Sequence, residues 1–310
     1  MIAAISFIAG LTALIIGGET IVRAGSKLAA RIGVSPMIIG LTVVSLGTSA
    51  PEMAISINAA LRGNGELAIA NITGTNTLTL LLILGITALI APIQIGSPAI
   101  RLELPIMIVG AVALFVFALD LSLNFVDGLL IGLTGVLYFV LLYRNSRQEM
   151  AEAEKDTTHN LWLQSAILLL GLVALVVGSD WMVTGAVEIA TALGVSEAVI
   201  GLTIVSIGTS APELVTSIIA GIRNQRDLAI GNLLGSVIFN VSLVGAVAAM
   251  VAPGGIDLLD STNTFSTWSF LAANLLMIPV FILGRKISRP EGAVLSLLYI
   301  GYLSYLIFIS

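Results

Sequence analysis

The chain alternates long apolar runs with short polar breaks, and the runs share one length class. Residues 2–22, 35–61, 67–91, 102–119, 124–143, 161–183, 196–222, 228–252, 265–284 and 290–308 are each close to or above the ~20 residues that carry an α-helix across a hydrocarbon core. Lipid offers no partner to an open backbone amide, so spans of this kind must be helices rather than open sheet. The pattern predicts an all-α integral membrane protein with ten transmembrane helices. Charge placement then sets its orientation. Every lysine and arginine except Arg62 falls in a loop after an odd-numbered span. The positive-inside rule puts those loops in the cytoplasm and both termini on the extracytoplasmic side of the cell membrane. The first run lacks preceding positive charge and an A-x-A cleavage site, so it reads as a retained span rather than a signal peptide.

Composition agrees and excludes several chemistries. Hydrophobic residues make up 57% of the 310 and charged residues only 10%, with a mean hydropathy of +1.09; a soluble chain would carry about 25% charged residues. The net charge of −5 says little about partners, and nothing points to nucleic acid. The absence of cysteine excludes disulfides, thiolate metal sites and thiol nucleophiles. The single histidine, His159, lies in a polar loop, which argues against zinc chemistry. No H-E-x-x-H motif and no Ser/His pair lie at membrane depth, so the chain reads as neither an enzyme nor a cofactor protein.

An internal repeat organises the spans. Residues 40–53, GLTVVSLGTSAPEM, align without a gap to 201–214, GLTIVSIGTSAPEL, at an offset of 161, differing only at Val43/Ile204, Leu46/Ile207 and Met53/Leu214. The offset also relates Gly33-Val34-Ser35 to Gly194-Val195-Ser196, and Leu67–Asn71 to Leu228–Asn232. Five spans per copy is an odd number, so the second copy enters the membrane from the opposite side. The expected organisation is a first repeat over 1–143, a charged cytoplasmic linker over 144–160 and a second, inverted repeat over 161–310. Inverted repeats of this kind place a substrate site at the midplane between discontinuous helices and alternate its access.

Glu52 and Glu213 lie near the centres of spans 2 and 7, where an unpaired acid costs several kcal/mol and an ionisable residue is a functional candidate by default. No basic residue shares their depth in those spans. Pro51 and Pro212 should break each helix just before them and free carbonyls around Ser45–Thr48 and Ser206–Thr209. The hydroxyls of Thr48, Ser49, Thr209 and Ser210 add neutral oxygens. Oxygen-only ligation selects hard cations, and two carboxylates with flexible oxygens suit calcium better than magnesium. Spans 3 and 8 carry Thr75 and Thr79, and Ser236 and Asn240, on one helix face each; these can ligate an ion or bind helix to helix, as can Asn71 and Asn232. Glu19 and Asp180 read as interface residues at span ends, and Glu66, Asp227, Glu103 and Asp127 as flanking charges.

The two GTSAPE segments, with G-N-x-x-G-S in the second half, resemble the alpha repeats of the cation/calcium exchanger superfamily, particularly its prokaryotic sodium/calcium exchanger branch. The resemblance covers both motif regions, and the ten-span length fits the whole chain. It implies two inverted five-helix repeats with spans 2, 3, 7 and 8 as the ion-binding core, and Glu52 and Glu213 as shared ligands of calcium and sodium. It further implies ligation by Thr48, Ser49, Thr209 and Ser210, sodium ligation by the Thr75 and Ser236 hydroxyls, and carbonyl ligation by Ser45 and Ser206. The family commonly has Asn or Asp where this chain has Thr79 and Asn240, often with one acid. The first half also has Ala70-Asn71-Ile72-Thr73-Gly74-Thr75 in place of G-N-x-x-G-S.

The expected activity is secondary antiport of calcium against sodium, with the lipid bilayer as the chain's environment. Calcium/proton antiport is the alternative, because protons compete naturally for two carboxylates in a low dielectric. A calcium channel is disfavoured, since selectivity rings repeat around a multi-subunit axis rather than within one chain.

Overall fold

The computed structural model describes residues 2–97, 99–152, 158–195, 200–258 and 261–309. Among these, eight helices are long and apolar enough to cross a membrane: Ile2–Ile32, Gly65–Ile90, Ala99–Asp120, Phe125–Arg147, Leu161–Ala192, Arg226–Val251, Thr264–Gly284 and Arg289–Phe308. Two bent pairs stand in the remaining places, Pro36–Thr48 with Ala50–Leu61 at 50° and Thr203–Thr209 with Ala211–Ile222 at 54°. We number these spans 1 to 10 in chain order, each bent pair being one span. The chain is an all-helical, multi-pass membrane protein.

The repeat is visible in backbone detail. Gly33 and Gly194 end spans 1 and 6 with φ of 85° and 80°, and Val34 N and Val195 N close the same C-terminal motif by donating to Ala29 O and Ala190 O at 3.1 Å each. Glycine supplies the left-handed conformation this motif requires. Widened π-type turns occupy Gly40–Val44 and Gly201–Val205, and again Thr79–Ile83 and Asn240–Gly245. Such turns insert an extra residue into the helix and recur at functional sites.

Spans 3 and 8 form the centre, each 78% buried over its apolar window, whereas spans 1 and 6 are 22% and 28% buried and face lipid. Spans 1 and 6 pack together through glycines. A Cβ on Gly17 would meet Gly171 O at 2.9 Å, and one on Gly178 would meet Gly10 O at 2.8 Å. In lipid, where tails are as apolar as side chains, small residues let backbones approach and gain dispersion contacts.

Several expectations are corrected. Two short ladders add to the helices: β1 (Ile93–Gln94) pairs with β4 (Lys286–Ile287), and β2 (Ser122–Leu123) with β3 (Ile256–Asp257). Each joins one loop of either half. Span 1 continues beyond its apolar run to Ile32, so Arg23, Lys27 and Arg31 ride on a helix, and Glu19 lies well inside it. The helix of span 5 runs to Glu152, into the expected linker; residues 153–157 of that linker and 196–199 at the expected start of span 7 lie outside the described residues. Glu103 is not a flanking charge. It is 1% exposed, and its Oε2, like the Tyr138 hydroxyl, has no hydrogen-bond partner.

Candidate functional site

Each bend falls at a serine, Ser49 in span 2 and Ser210 in span 7, one residue earlier than the alanine that precedes each proline. Pro51 and Pro212 sit in the first turn of the second helix, where a missing N–H costs nothing. Gly208 O, at the end of the first helix of span 7, accepts from Ser179 Oγ at 2.6 Å. Glu52 and Glu213 follow in the same first turns, where unpaired amides and the helix dipole favour a negative charge.

The bends cross the two halves over one another. Ser49 Oγ donates to Glu213 Oε1 at 2.9 Å, and Ser210 Oγ donates to Glu52 Oε1 at 2.8 Å. Both carboxyl groups therefore share one site, close enough for their charges to interact, and each residue is 2% exposed. The second oxygen of each, Glu52 Oε2 and Glu213 Oε2, has no hydrogen-bond partner among the described residues. Among the described residues neither glutamate is in an ion pair; the arginine pairs go to Glu19. No group of three or more acidic or histidine side chains gathers anywhere among them, so further ligands to a cation here would be neutral oxygens.

A second layer fixes the glutamates. Asn71 Nδ2 donates to Glu52 O at 3.2 Å and Ser56 Oγ at 2.8 Å, while Asn232 Nδ2 donates to Glu213 O at 3.5 Å and Ser217 Oγ at 3.1 Å. Thr48 Oγ1 donates to Asn232 Oδ1 at 3.1 Å. These asparagines tie each glutamate-bearing helix to spans 3 and 8.

The other expected residues vary in how near they come. Thr48 and Ser236 lie beside the Glu213 carboxyl, and Ser236 Oγ, buried, makes no hydrogen bond of good geometry. Ser45 O accepts from Ser49 N at 3.0 Å and Thr48 Oγ1 at 3.3 Å, so the bend leaves this carbonyl partly engaged. Ser206 O accepts from Thr209 Oγ1 at 3.1 Å. Thr75 Oγ1 turns back to Asn71 O at 2.7 Å. Thr79 and Asn240 are buried at the start of their widened turns. Asn240 Nδ2 donates to Asn76 Oδ1 at 3.2 Å, and Asn76 Nδ2 to Val237 O at 3.4 Å, leaving Asn240 Oδ1 without a partner.

Asn76 was not anticipated. It is fully buried and orients the Asn240 amide. Its position in the polar run 71–79 was a signal, but the offset maps it onto apolar Val237, so the repeat concealed it.

Comparison with known proteins places the chain in a family. The family model for the sodium/calcium exchanger protein matches residues 2–144 and 163–308. CaxA of Alkalimonas amylolytica is 37% identical, with both chains covered in full. Inner membrane protein YrbG of Escherichia coli (strain K12) is 32% identical over 99% of this chain and 96% of its own. A solved structure of the sodium-calcium exchanger NCX_Mj superposes with a TM-score of 0.86 at 28% identity, covering 98% of each chain.

Proposed function

The chain belongs to the sodium/calcium exchanger protein family, and on that premise we propose that it is a secondary active antiporter exchanging calcium for sodium across the cell membrane. The ions bind at mid-membrane between Glu52 and Glu213. Ser49, Ser210, Thr48, Thr209, Ser236, Thr75, Thr79, Asn240 and the Ser45 and Ser206 carbonyls supply neutral oxygens around them. Ten spans in two inverted halves, 1–143 and 161–310, carry the site, with both termini extracytoplasmic.

The observation that carries this reading is the crossed carboxyl pair. Two buried carboxylates lie in one site with no fixed cation among the described residues, where Glu52 Oε2, Glu213 Oε2 and Asn240 Oδ1 also have no hydrogen-bond partner. An uncompensated charge at this depth costs several kcal/mol. Mobile cations remove that cost: one calcium ion or two sodium ions neutralise the pair. Competition between them for the same oxygens couples their fluxes. Protons neutralise the same pair, which keeps calcium/proton antiport as the second reading.

Proteoliposomes decide between them. Vesicles loaded with sodium and diluted into sodium-free medium should accumulate calcium. Uptake unchanged when choline replaces internal sodium overturns sodium coupling, and uptake driven by a pH gradient alone assigns the proton as counter-ion.

A further inference from the structure

Outside the central site, one ion pair among the described residues crosses between the halves. Glu19, inside span 1, meets Arg223, at the end of the Ala211–Ile222 helix: Arg223 Nη2 lies 2.6 Å from Glu19 Oε1, and Arg223 Nε donates to Oε2 at 3.1 Å. Two nitrogens on two oxygens make the geometrically selective form of this contact. Arg23, one turn along span 1, also bonds Oε1.

The repeat gives this pair a double. At the offset of 161, Glu19 corresponds to Asp180 and Arg223 to Arg62. Asp180 stands inside span 6 as Glu19 stands inside span 1, and Arg62 ends the Ala50–Leu61 helix as Arg223 ends its counterpart. The chemistry is the same, acid on the peripheral helix and arginine on the core. Yet Asp180 and Arg62 are both exposed, and among the described residues neither is in an ion pair.

Packing differs between the same two ends. Beside Arg223, span 2 lies hard against span 8: a Cβ on Gly231 would meet Leu41 N at 3.1 Å and Gly40 Cα at 3.2 Å, and one on Gly235 would meet Leu41 O at 2.9 Å. Beside Arg62, the equivalent of Gly235 is Gly74, and among the described residues a Cβ there would meet nothing within 4 Å. The made ion pair and the tight packing share one end; the unmade pair and the loose packing share the other.

We propose that Glu19–Arg223 and Asp180–Arg62 are two symmetry-related latches, each made in one end state of transport and broken in the other. This rests on the alternating-access reading above. When the halves exchange conformations, the Thr203–Thr209 helix closes on Gly74, Asp180 reaches Arg62, and Glu19 parts from Arg223. All four are positioning residues. They touch no transported ion and set the balance between the end states, each latch shifting it roughly twofold to fivefold, the range of a good exposed pair.

The chain has no cysteine, so thiols can be introduced into it unaltered. One variant carries Glu19→Cys with Arg223→Cys, another Arg62→Cys with Asp180→Cys, and a third all four changes. Each is reconstituted and treated with a short bifunctional thiol reagent over a range of sodium and calcium concentrations. Both links should form, their yields should move in opposite directions as ion conditions change, and in the fourfold variant one should exclude the other. A second pair that never links, two yields that rise together, or both links in one molecule would each overturn the latches. Glu19→Gln and Asp180→Asn give a check without thiols, since they should shift apparent external ion affinity in opposite directions; a shift in the same direction would mark a merely structural role. Linking is read without flux, so alternation of the links in a chain that fails to exchange sodium for calcium would sink the exchange reading alone. Exchange without alternation would sink the latches alone.

Discussion

Residues 42–48 and 203–209 carry nearly the same sequence and lie in unlike surroundings. Ser45 and Thr48 are wholly buried, while Ser206 and Thr209 are only partly buried. Their own sequence cannot cause this, because 40–53 and 201–214 are nearly identical. The difference lies in how closely each is packed: Gly231 and Gly235 press on Gly40, Leu41 and Ser45, whereas at Gly74, the counterpart of Gly235, a Cβ would meet nothing within 4 Å among the described residues. The two serine–carboxylate bonds at the centre do not share the asymmetry. The crossed bonds Ser49–Glu213 and Ser210–Glu52 measure 2.9 and 2.8 Å. A centre that keeps its two-fold character while its approaches differ is the arrangement an alternating-access exchanger would use.

The largest effects should come from that centre. Glu52→Gln or Glu213→Gln removes one of two charges that face each other without a fixed cation. Breaking a buried charge assembly costs about 3–5 kcal/mol, or roughly 150-fold to 4,000-fold in ion affinity. Calcium flux in proteoliposomes should therefore fall to background in both variants, with each protein still monodisperse in detergent. Near-normal flux in either would remove that residue from the site. Ser49→Ala and Ser210→Ala come next. Each deletes one hydrogen bond to a carboxylate, worth about 1.5–3 kcal/mol, and because the two bonds are equivalent the losses in calcium affinity should agree within a few-fold. A large difference between them would show that the centre is not symmetric in function.

How far the sequence revealed all this depends on which physical constraint acted. Lipid imposes one length on every span, so the apolar runs located the helices closely, and the prolines located both bends. The same measure failed where a helix outruns the hydrocarbon. Span 1 was cut at residue 22 because Arg23, Lys27 and Arg31 end the apolar run, although the backbone continues to Ile32; Glu19 thereby lost its place inside a helix. Glu103 was misplaced because hydropathy cannot tell which side of a helix end turns inward. The repeat revealed Glu52, Glu213 and the crossing serines, which occur twice. It concealed Asn76, whose mate is Val237. Duplication reveals what both halves keep, and hides what one half has alone.

The glycines separate the two approaches by the smallest effects and by sign. Gly235→Ala places a methyl group against Leu41 O and the Ser45 side chain, and overpacking of this kind costs about 1–3 kcal/mol. It should open the span 2–span 8 contact and raise the accessibility of a thiol introduced at Ser45. Gly74→Ala meets no atom within 4 Å, so in this conformation it only replaces glycine by the better helix former, a gain of up to about 1 kcal/mol. The thermal midpoint should hold or rise slightly. In the opposite end state proposed above, Gly74 would take the place that Gly235 has now, and its methyl group would then press on the Thr203–Thr209 helix. Gly74→Ala should therefore slow exchange while leaving the stability of the resting protein intact, and Gly235→Ala should lower that stability. If both variants lower the thermal midpoint equally, the two approaches are packed alike and the asymmetry between them has no energetic weight.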